Sequence, residues 1–329
     1  GDFNYYTRDD KDQIISVTSA PQSEYSTRKM NAGLIRNRGV ELSLGGMPVS
    51  TKNWKWEMNF NIAKNSNKLV ELADGVDSYS IYWTSFTTRL YNYAMVGKSL
   101  GVITGNTWER DDNGNIIFHE LSASQKALYG GEYVPTYNQN TLDELGNFHP
   151  DFTGGFNTSI SFKNFRLSAN IDFSVGGQIV SYTNMWGSSS GILDKTAELN
   201  DRGVNVREPV SKGGGIHMTG VDQDGNKVDT YVNAKLYYTT ASRVWEEWVY
   251  DRTYVKLREV SLSYVFPSQT LKKLNIGLSR ASVAINASNP WLIYSACPNV
   301  DVSEIGMGYF EGGNAAATRS IGFTVNLAF

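Results

Sequence analysis

The feature that most constrains this chain is strict alternation of apolar and polar residues over segments of one length. Trp54, Trp56, Met58, Phe60 and Ile62 alternate with Lys55, Glu57, Asn59, Asn61 and Ala63. Phe165, Leu167, Ala169, Ile171 and Phe173 alternate with Arg166, Ser168, Asn170, Asp172 and Ser174, and Ile321, Phe323, Val325, Leu327 and Phe329 close the chain in the same way. Such runs fit the strand period of two and no helical template. Each is about ten residues long, which is what a tilted strand needs to cross a bilayer, whereas strands of soluble proteins average about five or six. Mean hydropathy is −0.35, so no transmembrane helix is expected, but a membrane barrel remains open because its strands carry only alternation.

The same reading places strands near 2–8, 35–45, 54–64, 154–163, 165–175, 252–266, 274–288 and 319–329, with a phase slip at Leu257-Arg258-Glu259 that suggests a β-bulge. No segment follows a 3.6-residue period, and the fold class is all-β. Connections are unequal. Gly46–Asn53, Lys163-Asn164 and Pro267–Lys273 are short, whereas 9–34, 64–153, 175–251 and 290–317 are long and polar. Short turns at one end and long loops at the other are the pattern of an outer-membrane barrel. Trp54, Trp56, Phe162, Phe165, Tyr264, Phe266 and Phe329 all lie beside a short turn or at the C-terminus, so in register they form one aromatic girdle. A soluble sandwich has no reason for such a ring.

Composition excludes several classes. Thirty basic against 33 acidic residues leave a net charge of −3, which gives no field to attract nucleic acid. Three His and one Cys cannot furnish a Cys/His zinc site or an intrachain disulfide. The first residues, Gly-Asp-Phe-Asn-Tyr-Tyr, carry no initiator Met and no signal sequence, and the chain reads as part of something longer.

Several motifs then resemble one family. Asn31-Ala-Gly33-Leu-Ile-Arg-Asn37-Arg-Gly39-Val-Glu41-Leu is similar to the N-x-G-x-I-x-N-x-G-V-E-L signature of the SusC/RagA family of TonB-dependent outer-membrane transporters. Val96-Gly-Lys-Ser-Leu-Gly101 resembles its G-x-P-x-G segment with Ser99 in place of Pro, and His149-Pro-Asp-Phe with Gly154-Gly-Phe156 resembles its P-D-x-x-x-G-F element. Tyr250-Asp-Arg-Thr-Tyr-Val-Lys-Leu257-Arg258-Glu259-Val-Ser-Leu-Ser-Tyr264 matches Y-D-x-x-Y-V-K-L-R-E-x-S-L-S-Y at nearly every fixed position. Thr318-Arg-Ser320 and the terminal Phe329 complete the set. Asp301-Val-Ser-Glu304 departs from the usual D-P-E, and Ala317 replaces a usual Pro.

The resemblance implies that residues 1–329 are the C-terminal section of a barrel of about 22 strands around a plugged lumen. Signal peptide, plug and N-terminal strands would lie outside this chain. It further implies TonB-dependent nutrient import in the outer membrane of a Gram-negative bacterium, with a SusD/RagB-like surface lipoprotein as partner, lipid around the barrel and the TonB complex reached through the missing N-terminal region. An oligosaccharide is the expected substrate and an oligopeptide the alternative. A soluble or surface-displayed β protein that binds ligand is the competing class.

Loop aromatics are the candidate substrate contacts, because a ring stacks on the apolar face of a sugar. Trp83, Trp108, Trp186, Trp248 and Trp291 lie in or beside the long loops, and the bland alternative is that they pack loops together or join the outer girdle. Glu109, Asp111, Asn113 and Glu120, with Gly114, have the spacing of a calcium loop. An Asn-Gly hairpin turn is the simpler reading, so no cofactor is expected. Asp222-Gln-Asp-Gly225 lacks the spacing and reads as a turn. His119, His149 and His217 share the loops with many carboxylates, but nothing fixes a catalytic spacing and no Gly-x-Ser-x-Gly is present. The chain reads as non-enzymatic.

Overall fold

The computed structural model describes residues 1–12, 14–18, 27–31, 33–84, 88–274, 277–305, 310–312 and 317–329, and the side chains of 14–18, 27–28, 30–31, 82–84 and 274 are outside that description. Eight strands form one antiparallel sheet in sequence order. They are β1 (Asp2–Lys11), β2 (Leu34–Ser50), β3 (Trp54–Glu71), β4 (Phe152–Phe162), β5 (Phe165–Val175), β6 (Tyr254–Val265), β7 (Arg280–Ser295) and β8 (Ser320–Ala328). Every strand pairs with its neighbour in the chain, as a hairpin meander requires. No helix among the described residues is long and apolar enough to cross a membrane.

Register explains the alternation. Trp54, Phe162, Phe165, Tyr264, Val283 and Val325 stand opposite one another in a single row across six strands. The next row on that face is Val49, Trp56, Ile160, Leu167, Leu262, Ile285 and Phe323. The first row holds Trp54, Phe162, Phe165 and Tyr264 of the expected girdle, with Trp56 in the row above and valines completing it on β7 and β8. Its rings touch, with centroids 4.3 Å apart for Trp54–Phe162 and 4.7 Å for Phe165–Tyr264. The opposite face is polar: Asn59, Asn157, Asn170, Glu259, Ser288 and Ser320 form one row, and Glu57, Ser159, Ser168, Ser261 and Asn286 the next. A sheet with a predominantly apolar, largely exposed face is stable only against lipid or a partner.

The turns at the girdle end are short. Lys163, at φ +54°, makes the β4–β5 hairpin, and its amide donates to Asn53 O at 2.8 Å. The bulge is where the phase slip places it: Asn170 faces Glu259 while Ile171 faces Leu257, leaving Arg258 as the extra residue.

Three expectations need correction. The strand expected from residue 274 starts at Arg280, and Ser268–Leu274 is instead a short helix, α4. The alternation of Leu274, Ile276 and Leu278 was too short to separate the two states, and residues 275–276 lie outside the described set. Helices are also present in the loops, as α1 (Ala123–Tyr129), α2 (Tyr182–Ser189) and α3 (Ala234–Ala241). At two turns each they are too brief to display a period, and local caps define them. In α1, Ser122 and Gln125 form a capping box and Gly130 ends the helix at φ +71°, the standard chemistry of both ends. Finally, the polar loops are shorter than expected, because β3 runs on to Glu71 and β7 to Ser295.

In the sheet, glycine is required at Gly154, on the outer face beneath Phe173. A Cβ there would lie 2.4 Å from Asn61 O and 2.5 Å from the Phe173 ring. Gly154→Ala is expected to destabilise the barrel by about 1–3 kcal/mol. The check is the heat required to convert the folded, fast-migrating species in a gel-shift assay.

Candidate functional site

Two regions have functional character: the polar inner wall and the loop layer at its long-loop end. On the wall, Glu57, Asn59, Asn157, Ser159, Arg166, Ser168, Asn170 and Glu259 surround a hollow of about 370 Å³. Arg166 Nη2 donates to Ser159 Oγ at 3.0 Å and pairs with Glu57 at 3.3 Å. The hollow is lined mainly by amides and hydroxyls, groups that both donate and accept hydrogen bonds.

Above it the bulge builds a charged cluster. The extra residue turns Arg258 inward, so Nε donates to Asp172 Oδ1 at 2.9 Å and Nη1 pairs with Glu304. Tyr254 OH donates to the other Asp172 oxygen at 3.2 Å. Lys256 is 1% exposed, and its Nζ bridges Asp301 at 2.7 Å and Glu304 at 2.5 Å. Two cations therefore meet three carboxylates, and the segment 301–304 is fastened to the wall. Opposite the bulge, Asn289 adopts φ +49° and its Oδ1 accepts from Arg258 at 3.5 Å. Leu257, between the two cations, points the other way, into the outer apolar row. Regular alternation puts Lys256 and Arg258 on one face and Leu257 on the other, and the bulge brings the adjacent Glu259 onto the inner face as well.

Burial works to raise the Asp301 carboxyl, but hydrogen bonds from Lys256 and Ser303 outweigh it and hold it below the usual range. Glu304 is lowered chiefly by its hydrogen bond from Lys256, against burial, with Arg258 adding to the effect. Both groups titrate lower folded than unfolded, so their contribution is present above the ordinary carboxylate range and lost as pH falls through the depressed values. Protection of the 296–305 amides, corrected for the intrinsic pH dependence of exchange, is expected to be flat near neutrality and to fall only below that ordinary range.

The next segment is anchored elsewhere. Glu311, 3% exposed, accepts from Ser181 Oγ at 2.7 Å and from the Thr183 amide at 3.3 Å, at the start of α2. Cys297 is buried beside Ile179 and Val302, and burial pushes its thiol up to about 12. It is an inert core residue.

The sequence-derived residues separate clearly. Trp108 and Trp248 are 2% and 1% exposed, inside a loop core with Trp245, Tyr182 and Tyr238. Trp108 Nε1 donates to Glu247 at 2.6 Å and Trp248 Nε1 to Ala241 O at 2.7 Å. Trp291 faces Leu257, itself opposite Ile171, and so stands on the outer apolar face. Trp186, on α2, is 44% exposed on the loop layer. Trp83 lies in the strand Ser78–Thr84 with its side chain outside the described residues. Of the four whose side chains are described, Trp108 and Trp248 share one buried cluster, while Trp186 and Trp291 stand apart from it.

Tyr6 packs its ring over Gly39, where a Cβ would come within 2.4 Å of it. Asn37 Nδ2 donates to Asp10 at 2.9 Å, Glu41 accepts from Asn4 at 3.3 Å, and Gly33 sits at φ +100°. Asn31 ends the strand Thr27–Asn31, its side chain outside the described set, and Phe329 is 84% exposed. In the calcium-spaced loop, Asp111 Oδ1 accepts from the amides of Asn113 at 3.0 Å and Asn115 at 2.8 Å, while Glu120 pairs with Lys126. Asn113 lies within the turn closed by Gly114 N donating to Asp111 O at 3.0 Å, with Gly114 at φ +83°, and Glu109 precedes that turn, its carbonyl accepting from the Ile117 amide at 2.9 Å. Asp222 makes the same turn with Asp224 and Asn226. Among the described residues, no three His, Cys, Asp or Glu are grouped to hold a metal. The Lys256 cluster was missed by residue-type searching, and the phase slip was the signal that pointed to it.

No family model matches the chain. TonB-dependent receptor P3 of Formosa agariphila is 27% identical over 307 residues, covering 91% of this chain and 28% of that protein. TonB-dependent receptor SusC of Bacteroides thetaiotaomicron is 30% identical over 188 residues, 54% of this chain and 18% of that one. The chain thus spans under a third of the length of these relatives. In fold it is similar to the RagAB peptide importer in its closed–closed state, with TM-score 0.69 and 18% identity over 99% of this chain and 33% of that one. The open–open state gives 0.68 at 17% identity over 99% and 32%. The chain is thus similar over 91% of its length to one TonB-dependent receptor and over 54% to SusC, and it shares the antiparallel fold of the part of RagAB that it matches.

Proposed function

We propose that the complete protein actively imports an oligosaccharide across the outer membrane of a Gram-negative bacterium. It draws on the TonB complex and works with a SusD/RagB-like surface lipoprotein. This chain supplies the C-terminal section of the barrel, and the plug and TonB-contacting region belong to the remainder. The relatives it matches are receptors and the solved structure whose fold it shares is an importer, and no bond in the substrate is made or broken. The observation that carries the reading is the division of one sheet into a lipid-facing apolar side and an inner side of amides and hydroxyls. Inner groups of this kind suit a hydroxyl-rich ligand, and Trp186 stands 44% exposed in the loop layer. Oligopeptide import is the second reading, favoured by the fold shared with the RagAB peptide importer.

The test is native mass spectrometry of the full-length protein extracted in detergent from its own membrane, with uptake assays in a deletion strain. A co-purified lipoprotein, and residual ligand masses spaced by sugar residues, support the proposal. Spacing by amino-acid residues moves it to peptides. Unimpaired uptake of both classes in the deletion strain overturns it.

A further inference from the structure

The outward face of the sheet changes character at its long-loop end. Outward positions of β3 are apolar from Trp54 to Ile62 and then become Lys64, Ser66 and Lys68. On β2 the same face passes from Leu42 and Val40 to Arg38 and Arg36. Register sets the two changes side by side: Val40 stands opposite Lys64, Arg38 opposite Ser66 and Arg36 opposite Lys68, with Tyr5, Thr7 and Asp9 of β1 completing the three rows. The intervening residues point inward, where Tyr6 OH donates to Asn65 at 3.1 Å and Asn37 to Asp10 at 2.9 Å, so the four cations stand on the outer side. Lys64 lies ten residues beyond Trp54 on β3. At about 3.4 Å per residue and a tilt of about 40°, that is a rise of about 25 Å, the height of a barrel's apolar band. The girdle marks one lipid–water interface and the cations mark the other.

Of these four cations, Arg36 alone is paired with a carboxylate among the described residues, its Nε and Nη2 donating to the two Asp9 oxygens at 2.8 and 2.9 Å. Lys64 Nζ stands over the Phe152 ring, 4.9 Å from its centroid. Arg38, Lys64 and Lys68 are exposed. Outward residues of one strand are about 7 Å apart and neighbouring strands about 4.8 Å, so Arg38 stands beside the midpoint between the two lysines and all three side chains reach one group. A guanidinium fork, two ammonium groups and the Ser66 hydroxyl are a donor set for a tetrahedral oxyanion such as phosphate. On the lipid side of a barrel wall, at this depth, the anion available is a lipid headgroup. We propose that Arg38, Lys64 and Lys68 hold the phosphate of a glycolipid of the outer leaflet, an assignment that rests on the reading of the sheet as an outer-membrane wall. The acyl chains of that lipid lie along Val40, Leu42 and Ile62 below.

The experiment is native mass spectrometry of the delipidated full-length protein in detergent, mixed with phosphorylated lipid A, with the same lipid A stripped of its phosphate, or with the phosphorylated lipid and inorganic phosphate together. The wild type is expected to retain the phosphorylated lipid about ten-fold more tightly than the stripped one, the scale of one to two interfacial cations after screening by salt. Equimolar inorganic phosphate should not displace it, because the acyl chains add to the headgroup contact. Arg38→Gln combined with Lys64→Gln and Lys68→Gln should abolish the preference, whereas Lys52→Gln with Lys163→Gln, at the girdle end, should keep it. Equal retention of the two lipids by the wild type, a comparison that needs no variant, overturns the headgroup site and leaves the wall standing. Binding of neither lipid overturns the wall along with it. Displacement by inorganic phosphate, or a preference that survives in the triple variant, also overturns the assignment.

Discussion

Replacing Lys256 with alanine is expected to release the segment 296–305 from the barrel wall, raising its amide exchange about 100-fold in the full-length protein. The reasoning starts from burial. Lys256 is 1% exposed and neutralises Asp301 and Glu304, whose side chains are 19% and 34% exposed. Removing one partner of a buried pair strands the other charges and costs about 3–5 kcal/mol. Because the two carboxylates retain some access to water, the lower end of that range applies, and about 3 kcal/mol corresponds to the stated rate change. Lys256→Met combined with Asp301→Asn and Glu304→Gln should recover most of the protection, since a neutral set carries no stranded charge. If Lys256→Ala exchanges like the wild type, the ion pairs do not hold this segment.

The second large effect belongs to the outer face. Val260 lies between Ala169 and Ala287, midway along the apolar band. Val260→Arg would place a guanidinium in lipid, at about 2–4 kcal/mol near the midplane of a barrel. The neighbouring residue, Ser261, faces inward, and its Oγ donates to Asn286 Oδ1 at 2.6 Å. Ser261→Arg loses that hydrogen bond but keeps its charge in a polar lumen, and should cost far less. Folded yield and urea stability in vesicles separate the two, and equal costs would remove the distinction between the faces.

These contrasts indicate why so much of the sheet was legible. Lipid outside and polar groups inside impose a period of two on every strand, and hairpin connections preserve chain order, so alternation alone located all eight strands. The break in alternation at Leu257–Glu259 carried information as well: it located the bulge that aims Arg258 at Asp172. The loop layer obeys no such rule. Trp108, Trp186, Trp248 and Trp291 look equivalent in sequence. What distinguishes them is tertiary, as when Trp108 Nε1 meets Glu247 across 139 residues of chain. The helices α1 to α4 were missed because two turns cannot show a period, although the Ser122–Gln125 capping box was there to be read. The alternation Leu274-x-Ile276-x-Leu278 misled in the opposite sense, offering a strand period over too few residues next to a helix.

The most direct test of the membrane-wall assignment is a cysteine scan of β5 in the full-length protein in native membranes, with the buried Cys297 replaced by serine. Single cysteines at 165–175 are spin-labelled and their collision rates with oxygen and with a water-soluble relaxant are compared. The account predicts that Phe165, Leu167, Ala169, Ile171 and Phe173 report lipid, while Arg166, Ser168, Asn170 and Asp172 report water or protein contact. Water access at both sets, or alternation in the opposite phase, would contradict it.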